Sequence, residues 1–282
     1  MSAFSFSKKP VKVPLVKTKN RSIQTPVPSP GTEGILENLS NYESRSMQGT
    51  VPLVWEKAQG FNVFDHAGNQ WIDFTSAIFI ANIGHSNPRF IKAIREVLDN
   101  NLVHHFTYPS QIKARYYEKL VRFTDGEFDK AFLLSGGTEA TEAALKLMRM
   151  NGQRTRKKRL GIISMEGSFH GRTLGAQLLG GIKPQKEWIG FEDQGVFHIR
   201  CPYPWVLDKG TSPEEFLENE LKKLEDEGIC LGTDICGAIF ETFQGWASFF
   251  YPKSFMKAME AFCRKNKILL TIDEVQSGFA RT

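Results

Sequence analysis

Several classes of protein are argued against by what this sequence lacks. Its 282 residues include only 4 cysteines, Cys201, Cys230, Cys236 and Cys263. None forms a C-x-x-C pair and no H-x-x-x-H partner accompanies them, so neither a zinc module nor a disulfide framework is indicated. They read as reduced, mostly buried thiols of a cytoplasmic protein. There is no run of about 18 apolar residues, the length a membrane-spanning helix needs. No internal repeat is present, and no glycine-rich loop ends in the Gly-Lys-Ser/Thr of a nucleotide-binding P-loop.

Acid is missing from residues 1–32, which carry Lys8, Lys9, Lys12, Lys17, Lys19 and Arg21. This segment accounts for the formal net charge of +5. The rest of the chain is near neutral, and bulk charge gives no support to a nucleic-acid partner. The segment also has five of the 13 prolines and little apolar periodicity. It is expected to be a disordered basic tail whose removal leaves stability unchanged. It has no apolar stretch for a secretory leader, and it is Lys- and Pro-rich where a mitochondrial presequence is Arg-rich and amphipathic.

What is present is an ordinary globular composition, 41% hydrophobic and 24% charged, on a chain long enough to bury a core. Residues 51–75 read as short strands around the turn Asp65-His66-Ala67-Gly68-Asn69. From Pro88 the period becomes helical, through Phe90, Ile91, Ile94, Val97 and Leu98. Another amphipathic helix fits residues 110–123. Short apolar runs then alternate with helices: Ala131–Leu134, Leu160–Met165, Val196–Ile199, Ala238–Phe240 and Ile268–Ile272, the last expected within the sheet. Ser212, Pro213 and Glu215 open one of the helices as a capping box, and Ser254 opens another. This alternation predicts an α/β domain with a mostly parallel sheet. Ligands in such sheets bind beyond the carboxyl ends of the strands, so chemistry is expected just after each apolar run.

Four motifs stand there. Ser135-Gly136-Gly137-Thr138-Glu139-Ala140 precedes a helix, where paired glycines admit close backbone approach and the helix start favours a phosphate. Read alone, a tight turn capped by Thr138 explains it as well. Gly167-Ser168-Phe169-His170-Gly171-Arg172-Thr173 sets an aromatic face, an imidazole and a guanidinium fork at one strand end. The plainer reading makes Phe169 core and Arg172 a surface charge. Glu241-Thr242-Phe243-Gln244-Gly245-Trp246 offers a carboxylate and an amide, or merely the start of a loop. Asp273-Glu274-Val275-Gln276-Ser277-Gly278-Phe279 begins with a carboxylate at the end of a buried strand. Such a group needs a partner, which a protonated pyridine nitrogen supplies; a lone Asp by default caps backbone.

Taken together and in order, SGGTEATEAALKLMR, SFHGRT, ETFQG and TIDEVQSGFART resemble the signature segments of the class-III (ω-amino-acid) aminotransferases, enzymes dependent on pyridoxal 5′-phosphate. NVFDHAGNQWIDF and NIGHSNP resemble the family's upstream pattern. The resemblance runs from about residue 50 to the end. It implies an α/β fold of the aspartate-aminotransferase type (PLP fold type I). Residues 33–95 would contribute to a small α+β domain, and residues 96–282 would form an incomplete large cofactor domain. Carried over position by position, Gly137 and Thr138 hold the cofactor phosphate, and Phe169 stacks on the pyridine ring. Asp273 pairs with the ring nitrogen, Val275 packs on the other face, and Gln276 bonds the phenolic oxygen. Glu241 supports this network, Arg172 contacts substrate carboxylate, and His170 orients its loop. No metal is implied. The partners expected are an amino donor, a 2-oxo acid acceptor and a second copy of the chain, with no nucleic acid and no membrane.

The family's Schiff-base lysine lies downstream of the D-E-V-Q segment, and none of the lysines in residues 1–282 matches it. The resemblance therefore implies a chain truncated at its C-terminus, with no catalytic lysine of its own and inactive by itself. Trp246 stands where many relatives carry a glutamate that neutralises a mobile arginine during donor binding. This departs from a standard 2-oxoglutarate-dependent 4-aminobutyrate, ornithine or acetylornithine specificity, although the resemblance implies an ω-amine or amino-acid donor of the 4-aminobutyrate, ornithine, acetylornithine or diamine type and a 2-oxo acid acceptor. An aminotransferase is expected. Lyases, decarboxylases and mutases on the same scaffold remain open, as does a non-catalytic cofactor-binding protein.

Overall fold

The computed structural model describes residues 6–44, 51–104 and 107–282. The chain divides into two compact units, Met1–Ala114 and Arg115–Thr282, so the second unit begins later than the expected residue 96.

The first unit is built on an antiparallel sheet. Its strands are β1 (Val16–Lys17), β2 (Ser22–Ile23), β3 (Trp55–Gln59), β4 (Asn62–Asp65) and β5 (Gln70–Ile72), in the order β1-β2-β5-β4-β3. The β4–β5 turn is the Asp65–Asn69 segment read from the sequence. Asp65 Oδ1 accepts from the backbone N–H of Ala67 at 3.1 Å and of Asn69 at 2.9 Å. Gly68 supplies the φ of +83° that the turn requires. Helix α1 (Glu33–Tyr42), the one-turn element α2 (Ser76–Phe79) and helix α3 (Pro88–Asp99) complete the unit, and α4 (Gln111–Phe123) crosses its boundary. The α2 turn is wound left-handed, with φ of 50–68° at Ser76, Ala77, Ile78 and Phe79. Asp73 fastens its start, accepting from the N–H groups of Thr75 and Ala77 at 2.8 and 2.9 Å.

The expected disordered tail is corrected here. Residues 1–5 lie outside the described residues, but the segment that follows is paired. β1 and β2 form a hairpin, and β2 joins β5 at Ser22 and Gln70. Ile23, Ser29 and Thr32 are buried. Ser29 Oγ donates to Asp65 Oδ2 at 2.7 Å, and Gln24 N–H donates to Asn69 Oδ1 at 2.7 Å. Two buried apolar residues, Ile23 and Pro28, and a polar clasp dock the segment, and neither leaves a periodic signature in sequence.

The second unit holds a parallel sheet of β6 (Gly161–Met165), β7 (Val196–Ile199), β8 (Ile235–Glu241) and β11 (Leu269–Asp273), in the order β11-β8-β6-β7. Every residue of β6 and β8 is buried, which is why both read as continuous apolar runs. Helices α5 (Gly137–Arg154), α6 (Leu174–Leu179), α7 (Pro213–Asp226), α8 (Leu231–Asp234) and α9 (Lys253–Asn266) alternate with the strands. A small hairpin, β9 (Phe243–Gln244) and β10 (Phe249–Phe250), follows β8. Phe240, Phe255, Met259 and Leu217 centre the core, joined by Ile163 and Met165 from β6. As the sequence predicts, Ser212 caps α7, accepting from Glu215 N–H at 3.1 Å.

Two expectations fail in this unit. Ala131–Leu134 form no strand, and Phe132 is 73% exposed. A strand exists only by pairing, and this run pairs with none of the described strands. β11 lies at the sheet edge among the described strands rather than within it. These parallel strands nonetheless run in one direction, so residues 166–173, 241–246 and 273–277 emerge at the same end.

Candidate functional site

The site assembles where those strand ends meet the first turn of α5. Gly136 enters the helix in extended backbone, φ −158° and ψ 169°, and no side chain caps it. The first N–H groups of a helix have no partner within it. A Cβ on Gly137 would lie 2.6 Å from Val275 Cγ1, and one on Gly171 would lie 2.6 Å from Thr138 Oγ1. The backbone of one loop is thus closed against the side chains of another at both glycines.

Two carboxylates anchor the strand ends, each with its own set of partners. Asp273 Oδ2 lies 2.7 Å from His170 Nδ1 in a pair whose side chains are almost wholly buried. Asp273 Oδ1 accepts from Val275 N–H at 3.0 Å. A carboxylate has about four acceptor positions, so Asp273 keeps capacity for a further donor. Glu241 is buried and accepts from Phe169 N–H and Gly245 N–H, each at 3.2 Å. Burial pushes its carboxyl above the usual range, while the two N–H groups pull the other way.

Phe169 and Val275 show partly open faces, 38% and 67% exposed, as flanks for a planar ring would. The Arg172 guanidinium lies 6.0 Å from the centre of the Phe169 ring and is otherwise exposed, free to meet a carboxylate. Gln276 packs its carboxamide directly against Gly245. Each residue the sequence singled out therefore falls at this one end of the sheet. Of the group, Gly137 meets Val275, Phe169 meets Glu241, and His170 meets Asp273.

Three partners escaped the sequence. His170, expected only to orient its loop, grips Asp273. Glu142, one helical turn beyond Thr138, accepts from Thr173 Oγ1 and, at 3.0 Å, from Ala176 N–H. It thereby caps α6 and holds the 167–173 loop against α5. Gln244, read as a ligand-facing amide, is instead fully buried. It accepts from Tyr203 Oη and donates to the Glu166 carbonyl at 3.0 Å. Glu142 looks like any helical glutamate. A glutamine placed straight after a buried strand is the weak signal that could have marked Gln244 as structural.

Pyridoxal 5′-phosphate fits this donor set. The α5 start suits its phosphate, the spare acceptor capacity of Asp273 suits a protonated ring nitrogen, and the Phe169 and Val275 faces suit its ring.

Comparison with known proteins agrees. The family model for aminotransferase class-III matches residues 43–282. A probable 4-aminobutyrate aminotransferase of Bacillus subtilis is 31% identical over 236 residues, covering 80% of this chain and 52% of its own length. A 2-aminoadipate transaminase of Pseudomonas putida is 32% identical over 246 residues, covering 85% of this chain and 56% of its own. The crystal structure of taurine:2-oxoglutarate aminotransferase from Bifidobacterium kashiwanohense, in complex with PLP and glutamate, superposes with a TM-score of 0.77. It is 28% identical and is matched over 89% of this chain and 57% of that one. The chain thus spans about half the length of the curated relatives it matches.

Proposed function

The chain belongs to the class-III aminotransferases, with pyridoxal 5′-phosphate as cofactor, and from that premise we propose that it moves an amino group from an ω-amine or amino acid to a 2-oxo acid. The observation that carries this reading is the buried His170–Asp273 pair, at the end of the sheet that also carries the partly exposed Phe169 and Val275. When bound, the cofactor supplies a carbonyl for the amino group and an electron-withdrawing ring.

This chain's residues do the holding. Gly137 and Thr138 bind the phosphate through N–H and hydroxyl. Phe169 and Val275 clamp the ring and exclude water from its faces. Asp273 keeps a proton on the ring nitrogen, Gln276 donates to the phenolic oxygen, and Glu241 fixes the loops that carry Phe169 and Gly245. Arg172 orients a substrate carboxylate. The lysine that binds the cofactor covalently and moves the substrate proton belongs, in this reading, to sequence beyond Thr282. Residues 1–282 alone would bind the cofactor without turning it over. A homodimer in the cytoplasm completes the proposal. No helix among the described residues is long and apolar enough to cross a membrane.

A second reading, lyase, decarboxylase or mutase chemistry on the same scaffold, draws support from Trp246. It is 61% exposed beside Gly245 and offers no carboxylate there. The deciding experiment follows amino transfer to pyruvate and to 2-oxoglutarate by the full-length protein, with borohydride trapping of the cofactor and mapping of the labelled lysine. Transfer together with a label beyond Thr282 is expected. A label on a lysine within 1–282 refutes the assignment.

A further inference from the structure

His170 uses only half of its polar edge. Its side chain is 0% exposed; Nδ1 faces Asp273 Oδ2 at 2.7 Å, while Nε2 has no hydrogen-bond partner among the described residues. A buried ring nitrogen is costly to leave unpaired. The same imidazole lines a small pocket with Ser168, Gln177, Gln185 and Lys186, which has about 10 Å³ of room for water, roughly the space one water centre needs. His170 lines this pocket and Asp273 does not.

The pocket's polar groups differ in what they have to spare. Gln177 is committed: its Nε2 donates to the Gln185 carbonyl at 2.6 Å, and its Oε1 accepts from Trp188 Nε1 at 2.8 Å. Ser168 Oγ donates to the Met165 carbonyl at 2.8 Å. Lys186 is half-buried, and its ammonium lies 3.5 Å from His198 Nε2. That nitrogen is occupied by the carbonyls of Leu179 and Gly180 at 3.1 and 3.0 Å. Lys186 therefore keeps donors to give, and an ammonium only donates.

We propose that one internal water joins Lys186 Nζ to His170 Nε2 and so locks His170 as the neutral tautomer whose Nδ1–H donates to Asp273. The water accepts from the ammonium, which leaves its own hydrogens for the Nε2 lone pair. A second positive charge on His170 would face the Lys186 cation with little solvent between them. His170 and Lys186 are then positioning residues: they aim the Asp273 carboxylate and carry no group that touches substrate. The inference rests on the proposed role of Asp273 toward the cofactor ring.

The test uses the full-length protein loaded with pyridoxal 5′-phosphate and labelled with ¹⁵N at its histidines. Nitrogen–proton correlation is expected to show His170 protonated at Nδ1 and bare at Nε2. Lys186→Met should disturb that pattern while leaving the other histidines as they were, which also reports that the variant folds. An Nε2-protonated His170 in the wild type, or an unchanged pattern in Lys186→Met, overturns the proposal. His170→Asn keeps a donor near the place of Nδ1 and should hold cofactor affinity within about threefold. His170→Phe, which loses that donor, should weaken it by roughly tenfold. Equal losses in the two variants would reduce His170 to packing and overturn its positioning role. Failure of the wild type to bind the cofactor would instead sink the function proposed above, and the tautomer measurement on the unloaded protein would still stand or fall separately.

Discussion

Replacing Gly137 by Ala separates the fold from the site in one substitution. The new Cβ would lie 2.6 Å from Val275 Cγ1 and 3.0 Å from Cγ2, too close unless something moves. Overpacking a closed core costs about 1–3 kcal/mol. Val275 is 67% exposed and can turn outward, so the cost here should fall toward the low end, about 1 kcal/mol. Against it stands a helix-propensity gain of about 0.5–1 kcal/mol for Ala over Gly, since Gly137 opens α5 and its φ is not among the left-handed ones. The two nearly cancel, and urea unfolding should shift by less than about 1 kcal/mol. The cofactor has no such escape. In the proposed site the phosphate needs the bare backbone at 137 and the ring needs the Val275 face, and the variant would disturb both. An uncompensated 1–3 kcal/mol corresponds to roughly 5- to 150-fold weaker binding. Absorbance titration of the full-length variant with pyridoxal phosphate measures this directly. Gly137→Ala/Val275→Ala should recover part of the affinity by removing the clash. Unchanged cofactor affinity in the single variant would refute the placement of the phosphate at α5, and a loss of stability above about 3 kcal/mol would refute the claim that Val275 can yield.

Asp273→Asn should lower turnover more than about a hundredfold while changing cofactor affinity much less, because the ring nitrogen loses its proton-holding partner; steady-state kinetics beside a cofactor titration would show whether the two separate. Deleting residues 1–32 removes buried Ile23 and the Ser29–Asp65 hydrogen bond and should cost the first unit about 2–4 kcal/mol. Faster hydrogen exchange across 62–72 is the readout, and unchanged protection would show that the clasp contributes nothing. Glu241 has a folded pKa raised chiefly by burial. Its contribution is fully present below the unfolded carboxyl value and is lost as pH rises through the higher folded value. Glu241→Gln should therefore flatten the decline of stability across that window, and identical pH profiles for the two proteins would contradict the shift.

Sequence showed the ends of things better than their partners. A carboxylate after a buried strand, a glycine pair before a helix and the D-E-V-Q-S-G-F segment are local, and the structure puts them at one end of one sheet. Pairing is not local. His170 and Asp273 are 103 residues apart, and no periodicity connects a histidine in a loop with an aspartate at the end of a distant strand. Ala131–Leu134 have the composition of a strand, but a strand is defined by a neighbour that composition does not name. The β1–β2 segment was missed for the opposite reason. It is rich in Pro and Lys, and buried Ile23 and Pro28 with a few hydrogen bonds to Asp65 and Asn69 dock it, below the threshold at which hydrophobic patterning speaks.

The parallel topology itself explains why two carboxylates crowd this site and why they take different parts. β8 and β11 are adjacent and in register, with Asp273 opposite Glu241, so two acids end neighbouring strands at the same level. A carboxylate buried at a strand end is costly unless donors meet it. Glu241 is met by two backbone N–H groups from the loops it ties together, which spends it on structure. Asp273 is met by one backbone N–H and one imidazole. Each acid thus accepts from two donors, but they differ in kind: Glu241 is tied to the backbones of two loops and Asp273 to a histidine side chain, and it is Asp273 that the proposed site turns to the ligand.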